Sequence, residues 1–482
     1  MGGLTTAAVL AKAGWKVLVL EQHTMAGGSC HTYKERGHYE FDTGLHFVGK
    51  MDPAESASAH VLNALAADKI EWLSIGDPYD HKLDYSIATG FMLGKIMPMW
   101  CFKLLHKWRL YKFMGGIGLF FDLAQRRAID VVNDLTSNER LRAAMLYLFP
   151  AIGFDMEPAP WFMLSGVWQH YAAMGSWYPK GGGAAITRNL VPTIIAAGGN
   201  VLVRADVDAI SIDNKTGRAA GVIVRHANRK YEICAPVVVS AAGVCTTFSR
   251  LLPSHIASKS RFMKYTGQPG TSEHVLFVGL NGSKEELGLD GANRMFMPPD
   301  MPRKLMRYLN DVTADQVLDE PFPFLIVTFP SARDPTQQQC HPGKSTCITI
   351  TPANHRWYAE WADSTHQRRP QAYKDYMDTL MHKMWHAVLE HFPHLEDKVE
   401  YMEVGGPLTI NHYVRSEGGA IGRLIHDQRR FHPTTVTELR PETDVQGLYL
   451  SGQDIFVGGI GGAFTGGLMC SEVLLKKYGN RN

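Results

Sequence analysis

The opening stretch MGGLTTAAVLAKAGWKVLVLEQ constrains the fold more than any other part of the chain. Leu4, Ala7, Ala8, Val9, Leu10 and Ala11 make residues 4–13 a small, apolar helix suited to packing on a sheet, and Gly14 offers it a C-cap. Val17, Leu18, Val19 and Leu20 form an unbroken apolar run of strand length, the pattern of a parallel strand covered on both faces. Glu21 closes that run 18 residues after Gly3. Glycine turn, helix, strand and terminal acid is the order a dinucleotide site requires: the helix N-terminus takes the pyrophosphate and the acid takes the ribose hydroxyls. Of the G-x-G-x-x-G pattern only the last glycine is present, as Gly3, and the strand that feeds such a turn has no counterpart here.

Composition narrows the class. The chain has 482 residues, 45% of them hydrophobic, enough for a large core in two or three domains. A net charge of +2 and the lack of groove-reading signatures argue against nucleic acid. The seven scattered cysteines include no CxxC and read as free thiols of a reducing compartment. The 21 histidines include no HExxH and no Cys/His pairing, so no metal site is expected. Near the other end, Leu448–Leu450 reads as a short strand. Gly452 and the glycines of 458–462 then remove side chains where something flat or anionic must approach the start of a helix.

The continuation EQHTMAGGSCHTYKERGHYEFDTGLHFVG resembles the flavin-binding region of the phytoene desaturase-like flavoproteins, most of all their retinol saturase branch. YPKGGGAAITRNL, NVLVRADVDAISID, VVVSAAG and GLYLSGQDIFVGGIGGAFTGGLMCSEVLL are similar to further segments of that family, so the resemblance covers most of the chain. It implies an α/β fold: a Rossmann-like FAD-binding domain, its first strand missing, with an inserted α+β substrate domain. It implies FAD as cofactor, held by Gly3, Glu21, Gly27, Gly28, Ser29, Val207 (through its backbone, at the adenine), Asp454 (at the ribityl hydroxyls) and Gly462, with NAD or NADP as candidate electron donor. The implied activity is an oxidoreductase acting on C–C double bonds of an isoprenoid polyene, foremost saturation of all-trans-retinol at the 13,14 bond. A carotenoid desaturase or isomerase, an amine-oxidase-type flavoenzyme and a flavin-less binding relative stand as alternatives. Three readings of the missing strand are weighed. A fragment or incomplete gene model is favoured over a short isoform and over an artificial boundary. No signal peptide is present in the chain as given.

Residues 1–50, 176–250 and 400–482 are assigned to the cofactor domain, and 51–175 and 251–399 to the substrate and membrane-contact domain. AYKDYMDTLMHKMWHAVLEHF reads as a core helix with Tyr373, Tyr376, Met377, Leu380, Met384, Ala387, Val388 and His391 near one face. Tyr85–Phe121 contains no acid. It mixes Lys95, Lys103, Lys107, Arg109 and Lys112 with Trp100, Trp108, Phe113 and other apolar residues, so 95–121 is expected to meet a membrane surface without spanning it. By family resemblance that membrane is the endoplasmic reticulum. The acid–base residue is not written in any motif. His46, Lys180 and Tyr413 are the candidates, chosen for their places in segments that the resemblance sets near the flavin.

Overall fold

A computed structural model describes residues 1–76, 86–151, 153, 155–172, 175–226, 229–267 and 269–479; Tyr85 of the basic stretch lies outside them. The helix Gly2–Lys12 buries Leu4, Ala7, Ala8, Leu10 and Ala11, as its pattern predicts, and is capped by Ala13, with Gly14 following at φ 86°. It packs against the last helix, Gly459–Tyr478. Side chains are excluded where they meet: a Cβ on Gly467 would lie 2.7 Å from both the Gly2 carbonyl and Thr5 Cβ. Thr6 Oγ1 bridges the approach, 3.0 Å from the Gly467 carbonyl and 2.9 Å from Ser451 Oγ.

Two parallel strand pairs flank these helices. Leu18–Leu20 pairs with Asn200–Leu202, and Val238–Ser240 with Leu448–Leu450. The expectation that Val17–Leu20 is covered on both faces is corrected: none of the four is buried, and Leu18 is 41% exposed. A parallel strand is buried when it has neighbours at both edges and helices on both faces. Among the described residues this strand has one neighbour, and so does Val238–Ser240.

The substrate half centres on a five-stranded antiparallel sheet in the order Arg294–Phe296, Leu325–Thr328, Lys344–Ala353, Ser272–Asn281, Val399–Gly405. The helix Gln371–Leu389 packs on it through Tyr373, Tyr376, Met377, Leu380, Met384 and Val388, the face read from the sequence. Trp385 joins that face, whereas Ala387 is only half-buried and His391 lies beyond the helix, exposed. Two expected boundaries cut through structure. Residue 400 falls within the strand Val399–Gly405. Strand Trp72–Gly76 pairs with Ser176–Pro179, and helix Ala57–Leu65 shares a core with Leu4, Ala7 and Ala8, so residues 51–76 pack with the cofactor half.

The helices Met99–Lys107 and Gly116–Ala124 lie in the basic stretch, and no helix is long and apolar enough to cross a membrane among the described residues. Lys95 departs from expectation. It is buried, its Nζ donates to the Leu439 carbonyl at 2.8 Å, and burial beside Arg430 and Arg440 drives its pKa well down. It belongs to the core and not to the basic surface.

The helix contact is the first test. Gly467→Val should force the two terminal helices apart and cost about 1–3 kcal/mol. A urea titration should show a lower unfolding midpoint, and an unchanged midpoint would contradict the backbone contact.

Candidate functional site

Three backbone segments converge at the start of the first helix. A Cβ on Gly2 would sit 2.5 Å from Gly452 Cα and 3.0 Å from the Ala463 carbonyl, and one on Gly3 would touch Ala241 Cβ at 3.0 Å. The amides of Gly2, Gly3 and Leu4 precede the first intrahelical bond, from Thr5 to the Met1 carbonyl, and no side chain caps them. They form an anion-binding end. Gly2 was not singled out from the sequence, although it makes a closer approach than Gly3.

Glu21 directly follows its strand, its amide bonded to the Leu202 carbonyl at 2.8 Å and its carboxylate accepting the His23 amide at 2.9 Å. Val207 is half-buried on the strand Asp206–Ile212, and its carbonyl accepts from Arg250 at 3.4 Å. The turn Gly27–Gly28–Ser29 runs through φ 125° and 59°, which side chains resist. Gly27 is pressed against Thr187 of the helix Ala184–Ala196, and Ser29 lies against Gly44 of the DTGLH segment. These two segments are therefore neighbours.

Asp454 carries the strongest signal. Its Oδ2 accepts the Val244 amide at 2.7 Å, while its Oδ1 is buried without a partner. A buried carboxylate oxygen left unpaired costs about 1–3 kcal/mol or more, so the site is built for a hydroxyl donor. A ribityl chain supplies such donors, and the residues present fit a flavin dinucleotide. Gly462 is reinterpreted: its missing Cβ would strike the Val457 carbonyl, so glycine there serves the turn into the last helix.

The three acid–base candidates are not brought together. His46 is half-buried, and desolvation with the nearby Arg333 charge lowers its pKa to about 4, so it is neutral. Its Nδ1 has no partner. Lys180 turns outward to an ion pair with Glu71 at 2.7 Å. Tyr413 is exposed, its hydroxyl 3.2 Å from His366 Nε2. None of the three presents a proton to a closed site.

The pair that sequence reasoning missed lies in the same two motifs. The Tyr178 hydroxyl donates to Asp42 Oδ2, and the Gly183 amide donates to Asp42 Oδ1 at 2.7 Å. Burial raises the Asp42 pKa to about 6, opposed by those two hydrogen bonds. Arg333 stands over the Tyr178 ring at 5.6 Å and donates to the His46 carbonyl, and Asp334 Oδ2 accepts the Gly181 amide at 2.5 Å. The substrate half thereby fixes both the DTGLH and YPKGGG segments. Asp42 lies in DTGLH beside His46, and Tyr178 in YPKGGG beside Lys180, so both motifs carry the pair without a spacing that joins it.

Because the folded pKa of Asp42 lies above its unfolded value, the folded chain retains a proton that the unfolded chain releases. This carboxyl therefore makes stability fall as pH rises from about 4 to about 6. Asp42→Asn should lose that part of the slope. Urea midpoints at pH 4.5, 5.5 and 6.5 are the measurement, and parallel profiles for both proteins would refute the assignment.

Comparison with known proteins agrees with this geometry. Residues 1–65 match the family model of an NAD(P)-binding Rossmann-like domain. The all-trans-retinol 13,14-reductase of Danio rerio is 34% identical, over 99% of this chain and 85% of its own length. That of Homo sapiens is 32% identical, over 99% and 84%. In fold, an oxidoreductase from Methanosarcina mazei superposes with a TM-score of 0.59 at 18% identity, covering 98% of both chains. With identity above 30% across nearly its whole length, the chain belongs to the all-trans-retinol 13,14-reductase family.

Proposed function

We propose that this chain is a flavin-dependent oxidoreductase that saturates a C–C double bond of a retinoid, all-trans-retinol at the 13,14 bond. The unpartnered buried Oδ1 of Asp454 carries the reading, because it marks a hydroxyl-bearing cofactor beside Asp454, in the small cavity it lines with Gly243, Cys245 and Arg423. When bound, the flavin supplies a hydride to one carbon of the double bond, while the other carbon takes a proton. The chain supplies the rest. The amides of Gly2, Gly3 and Leu4 hold the pyrophosphate, Glu21 the adenosine ribose, and Asp454 the ribityl hydroxyls. Asp42, Asp334 and Arg333 keep the YPKGGG and DTGLH segments in register, and the aromatic core of Phe91, Phe120, Phe162 and Phe431 keeps water out. A reduced nicotinamide, NADH or NADPH, is the proposed source of the two electrons.

We also assign residues 96–119 to a membrane surface, with the endoplasmic reticulum as the proposed location. Ile96, Trp100, Leu104, Trp108, Leu110, Phe113, Met114 and Leu119 are all exposed, Trp100 at 71% and Phe113 at 88%. On the helix Met99–Lys107 the buried residue is Phe102, while Trp100 and Leu104 face out. Among the described residues Lys107, Arg109 and Lys112 have no ion-pair partner, whereas Lys103 reaches Glu438 at 3.5 Å. Aromatic rings beside unpaired cations suit the headgroup layer, and a lipid-borne polyene would enter there.

Three measurements test these readings. The purified chain should be yellow, and Asp454→Ala should weaken flavin binding about 10- to 100-fold, the loss of one buried charged hydrogen bond. Anaerobic turnover of reduced protein with all-trans-retinol should yield a product two mass units heavier. A colourless chain, or no such product, defeats the proposal. Replacing Trp100, Trp108 and Phe113 together by Ser should abolish flotation with anionic phosphatidylserine vesicles while leaving the thermal midpoint in place. Undiminished flotation would remove this surface from the account.

A further inference from the structure

The turn that leads into the last helix, residues 451–459, is held from one side by the segment LIHDQRR, to which the proposed activity gives no role. His426 is 2% exposed, and its Nε2 accepts the amide of Gly458, the N-cap of that helix, at 2.8 Å. An accepting Nε2 places the ring proton on Nδ1, and the Leu424 carbonyl favours that ring N–H. Burial beside Arg430 keeps the ring neutral. The imidazole thus spans from one backbone segment to the other. Nothing is spare around it: a Cβ on Gly422 would lie 3.2 Å from His426 Cε1.

Arg430 completes the hold. Its guanidinium donates to the carbonyls of Leu424 and Gln453, both at 2.8 Å, and of Asp454 at 3.4 Å. Gln453 Oε1 in turn accepts the Gly459 amide at 2.8 Å. The amides of Gly458 and Gly459 are therefore tied off by side chains. Those of Ile460 and Gly461 precede the first possible intrahelical bond, from Gly462 to the Gly458 carbonyl, and stay available to a bound acceptor.

We infer that His426 is a positioning residue: its neutral imidazole holds the Gly458 amide so that Asp454 and the free amides of the last helix are presented together to the flavin. This rests on the proposed flavin chemistry. The partial positive charge at a helix start favours electron-rich acceptors. A loosened turn should therefore bind flavin more weakly and lower its reduction potential.

The test uses the full chain as wild type, His426→Leu, His426→Gln and Gly458→Pro. The φ of −62° at Gly458 is one that proline holds, so the last variant removes the same hydrogen bond from its donor end. Hydrogen exchange over 453–462, flavin affinity and reduction potential are read together. His426→Leu and Gly458→Pro should speed exchange in this turn, weaken flavin binding about tenfold and lower the potential. His426→Gln, whose amide oxygen can accept from Gly458, should restore all three. Unchanged exchange overturns the inference. So does faster exchange with unaltered affinity and potential, or a Gln variant as impaired as Leu. A wild type that takes up no flavin instead defeats the functional proposal, and the exchange comparison then decides the role of His426 by itself. Should His426→Leu fail to fold, Gly458→Pro examines the same bond.

Discussion

The close approach of the first and last helices is the constraint on which the rest depends. Gly2, Gly452, Gly466 and Gly467 have no side chains, so backbone meets backbone where residues far apart in sequence must share one cleft. Thr6 makes the contact directional through Ser451 and Gly467. A methyl group at any of Gly2, Gly466 or Gly467 would collide with backbone or with Thr5, so the geometry of the anion-binding amides and of Asp454 is fixed by what these positions lack. Packing at this density transmits small displacements, because there is no void to absorb them.

A second set of contacts locks the two halves of the chain. Arg333 reaches the His46 carbonyl, Asn293, Thr328 and the Gly291 carbonyl, while Asp334 takes the Gly181 amide. Burial lowers the Arg333 pKa only to about 10, so it remains charged. A charge that deep is tolerated because its donors end on carbonyls and hydroxyls and because Asp42 and Tyr178 lie alongside. The cofactor-facing segments are thus shaped from outside the cofactor half, and a change in the five-stranded sheet can be felt at the site without touching it.

Much of this was legible in the sequence, because the relevant signals are local. The helix–strand–acid order, the paired glycines at 27–28, the strand before Gly452 and Asp454 are spacings within a few residues. The core face of Gln371–Leu389 followed from its periodicity. What failed depended on partners distant in sequence. Lys95 reads as a surface cation until the Leu439 carbonyl is seen to receive it. Lys180 reads as an active-site base until Glu71 draws it outward. Val17–Leu20 carries a buried strand's pattern, yet has one neighbouring strand and stays partly exposed. Asp42 and Tyr178 lie in separate motifs, and no spacing rule joins them.

The electrostatics of the interior also decide which groups can serve the chemistry. Burial lowers the pKa of His46 and of His170 to about 4, and that of His426 well below its usual range. Neutral imidazoles of such low basicity hold almost no transferable proton near pH 7, so none of the three is a general acid for alkene saturation. Their value lies elsewhere: a neutral ring can accept a backbone amide, as His426 does, or pack without a counter-charge, as His170 does beside Gly49 and Gly461. The hydroxyl of Tyr178, whose pKa burial and Asp42 raise well above the ordinary phenol value, keeps its proton and spends it on Asp42. The buried carboxyls behave in the opposite way: burial raises the pKa of Asp42 to about 6 and that of Glu273 to about 8, so the interior keeps its protons on carboxyls and not on its imidazoles.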